Sequence, residues 1–381
     1  MARKSALAAM VALAGVLASG GSAAARTIHV GPGGSIQAAV DAASPGDTVM
    51  IAPGTYTEAS KPCPAEPGNE CAVVVAKDGI SIVGGGGPGR VVLEASGDQD
   101  VGLSVANTDD PACISDPSQR LSGSLIRGIT VRGFEDDGVL LFCVQDWRIT
   151  HVRAVDNEEY GLFPSHTFDG RVDHSFASGA NDTGIYIGQS ADARIDHNVA
   201  TGNVSGFELE NSSGMRADHN VARGNTGGIL SFTLPNLDVK SNHDNVIEHN
   251  VVRDNDRPNT CLEPGDAVCQ VPRGTGILLL AADTIAVRAN DVRGNDSFGI
   301  GVASYCVAFG LSPSECAALD IEPNPDGNRI TRNTVLGNGQ NPDPSLPSVF
   351  AVDLAWDTTG VGNCWSANTF GTSFPSALPA C

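Results

Sequence analysis

The sequence predicts an all-β solenoid, a single-stranded right-handed parallel β-helix, and three observations carry that expectation. Glycines recur as Gly138, Gly161, Gly184, Gly206, Gly228, Gly276 and Gly299, each followed by Val, Leu, Ile or Phe. The first four intervals are 23, 23, 22 and 22 residues, and the last is again 23. A fixed period in this range means stacked copies of one small unit. Between the glycines runs a second pattern, Arg171-Val172-Asp173-His174, then Arg194-Ile195-Asp196-His197-Asn198, Arg216-Ala217-Asp218-His219-Asn220 and Val246-Ile247-Glu248-His249-Asn250. A third follows it, Gly179-Ala180-Asn181, Gly202-Asn203, Gly224-Asn225, Asp254-Asn255, Gly294-Asn295 and Gly337-Asn338. Each period thus holds short alternating segments, a strand signal, separated by residues that tolerate tight or left-handed turns. No period has room for a helix of ten residues. Three short strands and three turns make one coil, stacked at the ordinary strand spacing of about 4.8 Å.

In chain order, the first 25 residues read as an export signal. Arg3 and Lys4 precede an apolar run from Ala6 to Ala18, and Ser22-Ala23-Ala24-Ala25 offers small residues for cleavage. The run is too short and alanine-rich for a strong membrane span. The solenoid domain is then expected over 26–381. Thr27–Val30 reads as a strand. Ser35 is placed to cap a short helix with Ile36, Ala39, Val40 and Ala43 on one face. Pro45-Gly46-Asp47 turns the chain into Thr48–Tyr56. Such an element serves to cover the open strand edges at the start of a solenoid. In the coils, Ile185, Phe207, Ile229, Ile277 and Ile300 fall in one inward column. Asn198, Asn220, Asn250, Asn290 and Asn333 fall in a turn ladder. Asn363–Phe370 reads as the last coil.

The period fails where loops intervene: near Pro235–Asn242, over about Asp256–Pro272 and Tyr305–Asn328, and around Cys63–Cys71 and Asp109–Gln119. Loops on a rigid scaffold commonly build the binding surface. The ten cysteines of an exported chain read as disulfides. Their order suggests Cys63 with Cys71, Cys261 with Cys269, Cys306 with Cys316, and Cys364 with Cys381, leaving Cys113 for Cys143. No Cys-x-x-Cys occurs, and the spacings suit loop clips better than zinc sites.

The repeat and its asparagine ladder resemble the parallel β-helix repeat family, over nearly the whole of 26–381. The opening resembles the amino-terminal cap of the pectate-lyase-like superfamily. Tyr160-Gly161-Leu162-Phe163-Pro164-Ser165-His166 is similar to the catalytic stretch of mannuronan epimerases, Tyr-Gly-apolar-Asp-Pro-His. Here Phe163 replaces the catalytic Asp and Ser165 the His, with His166 one position later. Both key residues of that chemistry are therefore changed. Over Tyr160–Tyr305 the chain is most similar to exported parallel β-helix proteins without assigned activity. What this resemblance implies is the place of a cleft.

Charge narrows the partners. The formal net charge is −21, and loss of Arg3 and Lys4 with the signal takes it to −23. So acidic a surface repels nucleic acid, anionic membranes and polyanionic sugars that no cation bridges. No later segment is apolar enough for membrane insertion. Alternation places Leu140 and Phe142, Phe163 and Ser165, Tyr186 and Gly188, Glu208 and Glu210, and Leu230 and Phe232 on the outer, solvent face. Phe163, Tyr186 and Phe232 are candidate sugar platforms, and Glu208, Glu210 and His166 candidate acids or bases. His174, His197, His219 and His249 form a further column. Stacked at one coil spacing, they suit hydrogen bonding in turns better than a shared metal, so neither metal nor cofactor is expected. The Arg171, Arg194 and Arg216 column is expected to pair with Asp173, Asp196 and Asp218 as a surface charge ladder. Gly84–Gly87 precedes no helix or Lys-Ser/Thr, so no phosphate loop is expected.

Two functions fit. One is an exported protein that binds a polysaccharide, with lysis, hydrolysis or epimerisation as its enzymatic form. The other is a non-catalytic cell-envelope or surface scaffold that presents loops to a partner.

Overall fold

The computed structural model describes residues 24–87 and 89–381. Apart from residues 24 and 25, the expected signal segment lies outside them. The chain winds as a parallel β-helix of three long sheets, of twelve, eleven and twelve strands. Each coil contributes one strand to each sheet. The third sheet carries the longest strands, Asp137–Phe142, Tyr160–Ser165, Thr183–Gly188, Ser205–Glu210, Gly227–Phe232, Thr275–Leu280 and Phe298–Ala303. All pairings are parallel except that of Lys61–Pro62 with Glu70–Val75.

Register places the repeat in columns. Leu162, Ile185, Phe207, Ile229, Ile277, Ile300 and Leu354 are successive partners, and none is more than 1% exposed. The periodic glycines have a steric reason. A Cβ on Gly161 would stand 2.4 Å from the carbonyl oxygen of Gly184, and one on Gly276 only 2.1 Å from that of Gly299. Backbone of the next coil occupies the space a side chain would need.

Two asparagine ladders bind the turns. Asn198, Asn220, Asn250, Asn290 and Asn333 each pass an Nδ2 hydrogen bond to the Oδ1 of the next, ending on Asn368, at 3.0–3.1 Å. Asn203, Asn225, Asn255, Asn295 and Asn338 repeat this and end on Asp353. The Oδ1 atoms also accept backbone N–H groups of the coil before, so turn donors that face away from water are satisfied.

The charge ladder differs from expectation in burial. Arg148, Arg171 and Arg194 fork onto Asp173, Asp196 and Asp218 of the following coil, with both bonds at 2.7–2.9 Å. The acids are fully buried rather than exposed. The guanidinium stems roof them, because each carboxylate also accepts the neighbouring imidazole. Burial alone would raise these carboxyls, but the guanidinium forks outweigh it and hold them below the usual carboxylate range. Beside them stand five stacked imidazoles, His151, His174, His197, His219 and His249, with centroids 5.0–5.2 Å apart and planes within 7°. Every one has a φ between 50° and 58°, the left-handed turn position in which His is tolerated.

The ends are covered. Ser35 Oγ accepts from the Ala38 N–H and caps the helix Ile36–Ala42, whose Ile36, Ala39 and Val40 are buried. At the far end Cys364–Cys381 draws the tail over Trp365. The other bridges are Cys63–Cys71, Cys113–Cys143, Cys261–Cys269 and Cys306–Cys316. Among the described residues, no helix is long and apolar enough to cross a membrane.

Candidate binding cleft

The outer face of the third sheet was expected to face solvent, with loops building a cleft over it, and it is roofed so deeply that several of its residues are buried. Towards the start, the Cys63–Cys71 hairpin packs on Leu140, with Phe163 against its edge. Farther along, insertions from several coils arch over the sheet and enclose a cleft of about 630 Å³. Its floor holds Tyr160, Phe163, Tyr186, Glu208, Glu210, Leu230, Phe232, Leu278, Leu280 and Phe298, and its walls hold Leu234, Leu237, Asp266–Pro272, Val307–Phe309 and Ser345–Phe350. That volume lies within the range of small-molecule and oligosaccharide sites.

The structure brings Phe163, Tyr186, Phe232, Glu208 and Glu210 into this one cleft. Tyr160, Phe163 and Tyr186 form a cluster with ring centroids 4.3–5.4 Å apart. Glu208 and Glu210 are 4% and 8% exposed. Desolvation raises both, Glu208 to about 7 with help from the Glu210 charge, and Glu210 to about 8 with help from Asp182. Burial likewise pushes the Tyr160 and Tyr186 phenols well above their usual value.

His166 is placed elsewhere. It is buried against Phe142, at 4.7 Å between ring centroids, and is not among the lining residues. Its Nε2 lies 3.2 Å from Asp238 Oδ2 and its Nδ1 2.9 Å from Ser165 Oγ. Burial lowers its pKa more than Asp238 restores it, so the neutral ring donates to Asp238 and accepts from Ser165. Its left-handed backbone, φ 55°, turns it away from the cleft. It thereby ties the strand Tyr160–Ser165 to the loop that carries Leu234 and Leu237, behind the cleft rather than in its lining.

Several lining residues escape the sequence reading. Asp136, Glu159 and Asp182 each stand two positions before a periodic glycine and stack coil on coil through backbone hydrogen bonds. This acid column was visible in the repeat. Glu159 and Asp182 reach the cleft, and Tyr160 Oη donates to Asp182 at 2.9 Å. Desolvation, then the Asp136 charge, lifts Glu159 to about 8, and Asp182 is raised by burial and Glu208. The wall Ser345–Phe350 was also missed, although Pro342, Pro344 and Pro347 mark a loop there.

Solved structures share the fold. The A-module of mannuronan C-5 epimerase AlgE6 from Azotobacter vinelandii superposes with a TM-score of 0.62 at 18% identity, covering 89% of this chain and 92% of that one. The AlgE4 A-module from the same organism gives 0.61 at 17%, covering 88% and 92%. Alginate lyase from Paenibacillus sp. str. FPU-7 gives 0.54 at 15%, covering 92% and 96%. No curated protein matches the chain in sequence. A family model does, that of NosD, described as periplasmic copper-binding protein, over residues 115–369.

Copper favours imidazole, thiolate or thioether ligands gathered in one coordination sphere. Here all ten cysteines are in disulfides. The stacked imidazoles run parallel about one coil apart, with Nδ1 of His174, His197 and His219 held by carboxylates. Among the described residues no three His, Cys, Asp or Glu side chains are placed so that they could hold one metal ion. This donor set does not fit a resident copper ion. Two thirds of the sequence nevertheless follows the family's pattern, coil after coil, and the chain belongs to the NosD family of parallel β-helix proteins.

Proposed function

We propose that the cleft binds a segment of polysaccharide outside the cytoplasm, with Glu208 and Glu210 acting on it as acid and base. One observation carries this reading. Of the chain's 19 aromatic Phe, Tyr and Trp residues, eight line the cleft: Tyr160, Phe163, Tyr186, Phe232, Phe298, Phe309, Phe350 and Trp356. Aromatic faces pack on the C–H faces of pyranose rings, and such crowding in so aromatic-poor a chain marks a site for flat, partly apolar rings. The five disulfides and the family's periplasmic description support a location in an oxidising compartment.

The chemistry of the acids supports action on a bond. Glu208 and Glu210 are two apart on one strand, so their Cα atoms are about 7 Å apart. A proton held to about neutral pH suits a general acid. Uronate epimerisation is not the reading, because Phe163 stands where that motif has its catalytic Asp. A scaffold that merely displays loops would have no need of an enclosed concave site.

The test is an oligosaccharide binding panel followed by product analysis on each hit. Glu208→Gln and Glu210→Gln should each lower turnover by about 10²-fold or more while a bound product analogue is retained. Turnover that survives both changes together would remove the acid assignment.

A further inference from the structure

Resting on the saccharide reading, the geometry points to a ligand class: we propose that the cleft takes a glycan bearing free amines, whose ammonium groups sit among its carboxyls. Six carboxyls line it, those of Glu159, Asp182, Glu208, Glu210, Asp266 and Asp357. No Lys, Arg or His is among the described lining residues. None of the six carboxyls takes part in a salt bridge among the described residues. The acids of the Arg ladder show what this protein does when an acid is structural: it gives each a guanidinium fork. Among the described residues the cleft acids have no such partner.

Two further features point the same way. A smaller hollow of about 130 Å³ continues from Glu159, Asp182 and Asp266 to Asp136 and Glu263, and is again free of cationic side chains. Beside it lies Asp137, 1% exposed, with neither carboxylate oxygen hydrogen-bonded. Its register partner in the next coil is Tyr160 of the cleft floor. A buried carboxyl without a partner is costly, and burial with the nearby Glu66 and Glu159 charges keeps this one protonated. The aromatic cluster of Tyr160, Phe163 and Tyr186 supplies ring faces beside these acids, and ring faces attract ammonium as well as stacking on sugars. An ammonium among these raised carboxyls favours their ionised form and so its own binding, whereas a uronate would drive them further towards the neutral form.

The experiment compares a short glucosamine oligomer, its N-acetylated counterpart and a mannuronate oligomer by calorimetry on the full chain near neutral pH. The glucosamine oligomer should bind at least tenfold more tightly than the N-acetylated one, and high salt should remove most of that margin. Glu208→Gln with Glu210→Gln should weaken the glucosamine oligomer about tenfold and leave the N-acetylated one nearly unchanged, with thermal melts confirming that the variant is folded. Equal or tighter binding of the N-acetylated oligomer would leave the saccharide reading standing and overturn the amine inference. Mannuronate binding that requires added calcium would overturn it too. No binding by any of the three would sink both.

Discussion

Glu210 and Asp218 are both buried acids, and their surroundings push them in opposite directions. Asp218 accepts two guanidinium hydrogen bonds from Arg194, one from Arg216 and one from an imidazole, and stays ionised. Glu210 has a phenol, apolar walls and the Asp182 charge, and holds its proton to about pH 8. The folded state therefore keeps a proton that the unfolded chain loses near the ordinary Glu value. The resulting stability is complete below that value and disappears as pH rises through 8. Glu208 and Glu66, both raised to about 7, and Glu159 act in the same sense. The protein should melt at a higher temperature near pH 5 than near pH 8. Glu210→Gln should recover on the order of 3 kcal/mol at pH 8 and almost nothing at pH 5. Melts on the two proteins across that range decide it, and a flat difference between them would contradict the burial argument.

At the scale of the coil, the repeat is set by what cannot be added. Gly206→Ala would bring a Cβ to 2.6 Å from the Gly228 carbonyl oxygen and should destabilise by about 1–3 kcal/mol. Asn220→Ala removes one rung of a ladder, taking the Oδ1 acceptor from the Asn198 N–H and Nδ2 and the Nδ2 donor from the Ile195 carbonyl, at a similar cost of about 1–3 kcal/mol. Denaturant titration should show both losses without a change of architecture. These positions are also why the fold was legible. Glycine spacing, inward aliphatic columns and asparagine turns repeat in the chain as they stack in space. The outer-face residues were equally legible as to side, since alternation assigns Glu208, Glu210, Tyr186 and Phe232 to it. Their burial was not, because it comes from insertions that break the period, and the way an aperiodic loop folds back is written in no column. Phe350 reaches the cleft by that route.

For the molecule as a whole, rigidity and specificity are carried by different parts. The three sheets hold the floor, while the roof is made of loops clipped on themselves. Cys261–Cys269 closes the loop that supplies Asp266–Pro272, and Cys306–Cys316 the one that supplies Val307–Phe309. Replacing Cys261 and Cys269 with Ser should leave the melting of the coils nearly unchanged and weaken ligand binding several-fold. Hydrogen exchange would show the change confined to the 256–272 segment. A collapse of the whole melting transition would mean that the loop supports the core.

The cleft floor spans the strands from Tyr160–Ser165 to Leu354–Trp356, which are paired in unbroken sequence. That is six coil steps, or about 29 Å. A linear chain lying lengthwise would meet a fresh rung at every step, much as a rack meets the teeth of a ruler. Affinity for such a chain should then climb in increments as the oligomer lengthens and level off once the groove is filled end to end, a graded reading of length that a titration series of oligomers would reveal.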